Sequence, residues 1–165
     1  MFDEFITDFG DPFAAVSWQV ASMRMLFALL LGGIIGWERE VATKPAGLRT
    51  HMLVSLAACI FTLLTFELMQ LEVAGGSDAM RTDPIRLIEA ITSGVAFLAA
   101  GMIFTDHDKV RGLTTGAGLW LGGAIGVACG LGQLMLASLA TGVALIVLWL
   151  MRLLLARLTS QKEPR

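Results

Sequence analysis

Apolar residues along this chain fall in five long runs separated by short polar breaks. The runs cover about residues 20–37, 52–71, 87–104, 115–130 and 133–155. A helix needs about 20 mostly apolar residues to cross the hydrocarbon core of a bilayer. The pattern therefore predicts an all-α integral membrane protein, a compact bundle of five transmembrane helices over residues 20–155. An acidic segment precedes it at 1–19 and a short basic tail follows at 156–165. The breaks carry their own signals. Asp83-Pro84 reads as the N-cap and first residue of the third helix. Lys44-Pro45-Ala46-Gly47 is a turn, and Gly130-Leu131-Gly132 allows only a tight hairpin between the last two helices. Thr114 and Thr115 are placed to cap the fourth helix. Trp18 and Trp37 are 19 residues apart, roughly 28 Å along a helix, which suits two interfacial rings.

Composition sharpens this picture. Hydrophobic residues make up 56% of the 165 and charged ones 16%, against about 25% charged in a soluble domain. So much apolar surface cannot be hidden in a small soluble fold, so it must face lipid or partner subunits. The net charge of −2 leaves no basic footprint for nucleic acid. Cys59 and Cys129 lie inside apolar runs and read as small buried hydrophobes. The acidic N-terminus does not look like a cleavable signal peptide. Phe2, Phe5, Ile6 and Phe9 recur at helical spacing, so residues 2–9 read either as an interfacial helix or as a frayed terminus.

Lysine and arginine set the orientation. Arg39, Lys44, Arg49, Lys109, Arg111, Arg152, Arg157, Lys162 and Arg165 fall on one side, against Arg81 and Arg86 on the other and Arg24 within the first span. The positive-inside rule then puts the N-terminus outside and the C-terminus in the cytoplasm. Packing is expected to run through small residues, because lipid supplies no hydrophobic drive between helices. Gly118, Gly122, Gly126 and Gly130 recur every four residues on the fourth helix, and Gly32 and Gly36 form a pair on the first. Gly94, Ala96, Ala100 and Gly101 offer a small face on the third. The fourth helix is expected at the centre, against the first and third. The rival use of its stripe is a homodimer seam.

Charges within spans are costly and each is a functional candidate. Counting from the basic side at 1.5 Å per residue, Arg24, Glu67 and Glu89 all lie roughly 21–24 Å up. One reading is an intramembrane cluster, Arg24 countered by Glu89 and by Glu67, suited to a proton or cation. The other is separate snorkelling to the headgroups. Asp106-His107-Asp108 reads as a solvated turn rather than a metal clip, and His51 as a helix-start residue. No Ser-His-Asp set, phosphate loop or zinc spacing is present. This argues against an enzyme, and no cofactor is expected beyond Mg2+ or H+ as a ligand.

Several ordered motifs carry a resemblance. Gly32-Gly33-Ile34-Ile35-Gly36-Trp37-Glu38-Arg39-Glu40 is followed by Lys44-Pro45-Ala46-Gly47-Leu48-Arg49-Thr50-His51. Then come Asp83-Pro84-Ile85-Arg86, the run from Ser93 to Phe104, and Val110-Arg111-Gly112-Leu113-Thr114-Thr115. Over about residues 20–150 the chain resembles the bacterial MgtC/SapB family. The resemblance implies a multi-pass inner-membrane protein with five spans. It also implies a link to magnesium homeostasis, acid stress and survival inside host cells, as a regulator that contacts other inner-membrane proteins. Magnesium transport is the alternative role. Self-association as a dimer or higher oligomer is expected from small size and glycine stripes. Ala96 and Ala99 stand where the family usually has glycine, so a neighbouring helix is expected slightly farther away. The chain looks like a short, SapB-like member without the folded cytoplasmic C-terminal domain of longer relatives.

Overall fold

The computed structural model describes residues 15–75 and 83–160. Residues 2–9, read as an interfacial helix or a frayed terminus, and Arg81, Lys162 and Arg165 lie outside the described residues. Among the described residues five helices follow in order: α1 (Trp18–Val41), α2 (Leu48–Gly75), α3 (Pro84–Ala100), α4 (Leu113–Gly130) and α5 (Leu134–Ser160). Two short strands, β1 (Phe104–Asp106) and β2 (Lys109–Arg111), stand between α3 and α4. Four helices, α1, α2, α4 and α5, are long and apolar enough to cross a membrane. At 17 residues α3 is the shortest of the five.

Local chemistry explains most boundaries. Asp83 Oδ1 accepts the Ile85 amide at 2.9 Å, with Pro84 in the first turn, so α3 starts as its sequence predicts. It ends earlier than the apolar run does. Gly101–Ile103 turn, and Phe104 enters an antiparallel hairpin in which Phe104, Thr105 and Asp106 pair with Arg111, Val110 and Lys109. The two tip residues His107 and Asp108 both have positive φ, the condition for a tight two-residue hairpin turn. Hydropathy alone cannot see this, because Phe104 continues an apolar run. At the start of α4 the expected threonine cap is absent. Gly112, at φ +87°, takes the N-cap position and no side chain caps the helix. A Cβ there would collide with the Met102 carbonyl.

The centre of the bundle is α4, with 61% of its span buried against 17% for that of α5. Its tightest neighbour is α2, not α1 or α3 as expected. A Cβ on Gly126 would collide with the Ser55 carbonyl, and one on Gly130 would lie 2.5 Å from Thr62 Cβ. On α1, Gly32 and Gly36 likewise let α2 in, with Leu48 Cα 2.7 Å from a Cβ placed on Gly36. The glycine stripe is thus used for packing within the chain. The small face of α3 is not: Gly94 has open space, Ala96 and Ala100 are exposed, and only Ala99 is buried. Ala99 meets α4 at Gly116, where a Cβ would lie 2.9 Å from its carbonyl. Between α2 and α3 lies an apolar groove lined by Phe61, Leu87, Gly94 and Leu98. Large apolar side chains such as Phe97 on α3, Trp120 on α4 and Trp149 on α5 are exposed, and on the spanning helices α4 and α5 such surface faces lipid.

Candidate functional site

Polarity gathers at the two ends of the bundle. At the end holding the start of α1, Arg24 Nη1 donates to the Gly130 carbonyl at 2.7 Å. Gly130 is the last residue of α4, whose final carbonyls lack partners within the helix and carry its negative partial charge. Arg24 therefore caps α4. The tight turn that follows suits it. Gly132 has φ +79°, and a Cβ there would sit 2.7 Å from Arg24 Nη2. Glu67, near the end of α2, accepts the Ala15 amide at 3.1 Å. Glu89 is exposed on α3, and only its carbonyl appears in a side-chain bond, accepting from Thr92 Oγ1. Among the described residues no ion pair joins Arg24 to Glu67 or Glu89. Arg24 and the turn of α2 around Glu67 border one hollow, with Ala15, Phe66, Met69 and Gln70, while Glu89 is exposed on α3.

The opposite end brings together the longest motifs. Glu40 Oε2, at the end of α1, accepts the Leu48 amide at 3.0 Å and so caps α2 from across the turn. Gly47 leaves room for it, since a Cβ there would displace that carboxylate. His51 is fully buried in the first turn of α2. Its Nδ1 lies 2.9 Å from the Gly47 carbonyl, which can only accept, so Nδ1 donates. Nε2 is buried without a partner and faces α4 at Gly118, 3.2 Å from a Cβ placed there. One turn further, Ser55 is fully buried between Gly32 of α1 and Gly126 of α4, its hydroxyl also unpartnered. Cys59 and Thr62 continue this inner face of α2, Cys59 fully buried and Thr62 bonding back to the Ala58 carbonyl. Ser55 was not singled out in the sequence reading. The spacing His51, Ser55, Cys59, Thr62 was the available signal, one small or polar side chain per turn inside an apolar run.

Arg39 is only 3% exposed. Its Nη1 is 3.9 Å from Glu38 Oε2, and its Nε and Nη2 have no hydrogen-bond partner. Around it stand Lys44, Pro45 and Thr114, all exposed, and Thr115, which is buried. Arg49 is exposed and Thr50 partly so. Arg111 Nε bonds Asp106 Oδ2 at 3.0 Å across the hairpin, and His107 Nδ1 lies 2.7 Å from the other oxygen of Asp106. Asp83 acts as a cap and Arg86 is exposed at the far end. Arg39, Lys44, Pro45, Arg111, Thr114 and Thr115 thus meet where α1, the hairpin and α4 come together, while Asp83 and Arg86 lie at the other end.

Comparison with known proteins places the chain in a family. A model of the MgtC family matches residues 25–157. The chain belongs to the MgtC family. It is 42% identical over 138 residues to protein MgtC of Brucella abortus, covering 84% of this chain and 54% of that one. It is 39% identical over 130 residues to protein MgtC of Salmonella typhimurium, covering 79% and 52%. An uncharacterized protein of Haemophilus influenzae is 38% identical over 124 residues, covering 74% and 52%. The chain spans about half the length of the curated relatives it matches. No solved structure matches it. MgtC family membership and four apolar spans identify a multi-pass bacterial inner-membrane protein.

Proposed function

We propose that this MgtC-family chain is a non-enzymatic membrane regulator that binds other inner-membrane proteins during magnesium limitation, acid stress or intracellular survival. The observation that carries this reading is the division of polar groups between the two ends. Arg24 is committed to capping α4 and Glu89 is exposed on α3. An ion path through Arg24, Glu67 and Glu89, as magnesium or proton transport would need, would have to draw on an Arg24 already bonded to Gly130 and a Glu89 exposed on another helix. The family motifs instead frame a polar surface with Arg49, Lys44 and Arg111 exposed. The positive-inside rule places that surface in the cytoplasm and the N-terminus outside. In this orientation α3 is the fifth span. It is one residue shorter than α4 and packs along it. The contact surface is then the cytoplasmic loops, since the glycine stripe of α4 is occupied within the chain.

Two measurements test this. In sealed proteoliposomes with magnesium and proton dyes, no flux above empty vesicles is expected. In a host strain lacking the gene, Glu89→Gln should sustain growth in low magnesium while Arg49→Glu should not. Flux that disappears in Glu89→Gln would overturn the regulator reading in favour of a carrier.

A further inference from the structure

A buried arginine with two unpartnered nitrogens is expensive to maintain. Taking a charge out of water costs several kcal/mol unless an opposite charge and hydrogen bonds meet it. Arg39 has one distant carboxylate, Glu38, at 3.9 Å on Nη1, and nothing on Nε or Nη2. It lines two adjoining hollows. The first is a cavity of about 460 Å³ framed by Arg39, Lys44, Arg111, Gly112, Thr114 and Thr115. The second, of about 660 Å³, shares Arg39, Lys44 and Thr114 and adds Arg152 above an apolar wall of Val41, Val147, Leu148 and Met151. Four cations face these hollows. The carboxylates beside them are Glu38 and Asp106, the latter already bonded to Arg111.

The start of α4 points to the same ligand chemistry. The first amides of a helix have no acceptor within it and carry partial positive charge. At Gly112 no side chain caps them, and Gly112 and Leu113 line the first hollow. Backbone amides at a helix start, threonine hydroxyls and a guanidinium fork are the donor set that recognises a phosphate-type oxyanion. We propose that this junction binds such an anion, with Arg39 as its buried fork, Lys44 as an exposed second cation and the start of α4 as its amide cradle. The anion would draw on Arg39, whose Nε and Nη2 are buried without partners. The inference goes beyond the regulator reading and stands whether or not that reading holds.

Two sources share this chemistry. One is free phosphate in the first hollow. The other is an anionic phospholipid, with its headgroup there and a chain along the apolar wall of the second. Calorimetric titration of the delipidated full chain in neutral detergent separates them. The probes are inorganic phosphate, dihexanoyl phosphatidylglycerol and, as a zwitterionic control, dihexanoyl phosphatidylcholine. Binding of inorganic phosphate identifies a free oxyanion site. Binding of phosphatidylglycerol at least ten-fold tighter than phosphatidylcholine, without phosphate binding, identifies a headgroup site. In either case Arg39→Met should weaken binding at least ten-fold, and Arg24→Met should not. The double variant Lys44→Gln, Arg111→Gln changes only exposed residues and should weaken binding several-fold in folded protein, even if Arg39→Met does not fold. No binding of phosphate or phosphatidylglycerol overturns the proposal. So does equal binding of the two lipids without phosphate binding, or affinity unchanged in the double variant.

Discussion

Two arginines on one helix, Arg24 and Arg39, meet opposite fates. Arg24 is partly buried and bonded at 2.7 Å to the last carbonyl of α4. Arg39 is more deeply buried, yet two of its nitrogens have no partner. Each lies beside an end of α4, and the polarity of that helix explains the contrast. At its C-terminus α4 offers carbonyls, which an arginine satisfies directly. At its N-terminus it offers amides, which repel a cation and attract an anion. An arginine at the carbonyl end is part of the scaffold. An arginine at the amide end strengthens a pocket for something negative.

The comparison can be broken most severely at Gly132. Replacing it with valine puts a β-branched residue at φ +79° and drives Cβ toward the Arg24 guanidinium. The combined backbone strain and loss of the cap should cost more than about 3 kcal/mol. Guanidinium or SDS titration of the purified protein would register it as loss of most of the stability margin, and near-normal unfolding would show that Arg24 is not seated there. The next effect is Arg24→Met. It removes a charge-assisted bond and leaves the Gly130 carbonyl unpaired, for an expected loss of about 1.5–3 kcal/mol. The smallest is Arg39→Met. In neutral detergent without phosphate or anionic lipid, it should change stability by no more than ~1 kcal/mol or raise it, because an apolar isostere relieves an uncompensated buried charge. If Arg39→Met instead destabilises as much as Arg24→Met, the two ends are alike and the contrast fails.

Much of the fold was legible along the chain. The apolar runs located the helices, since spans must satisfy their backbone internally and so appear as long uninterrupted segments. Asp83 and Pro84 marked the start of α3 because a cap is a local interaction. The hairpin after α3 is not legible, since Phe104 continues an apolar run and residues 105–111 read as a polar loop until pairing selects them. The candidate site divides in the same way. The motif residues from Glu38 to His51 and from Arg111 to Thr115 were picked out as a group, but not their shared junction or the buried state of Arg39 and His51. Ser55 was overlooked because a hydroxyl in an apolar run raises no charge signal.

By itself the sequence determined that this is a membrane protein of the MgtC family and where its helices run. Hydropathy, caps and motifs are properties of neighbouring residues, and they survive without any knowledge of packing. The tertiary structure alone decided what each charge meets. Arg24 finds a backbone carbonyl 106 residues away in the chain, a partner with no side chain to announce it. Glu67 takes the Ala15 amide and Glu89 is left exposed on α3. Glycine contacts bring α4 against α2 and α2 against α1, and Arg39 ends buried beside the start of α4.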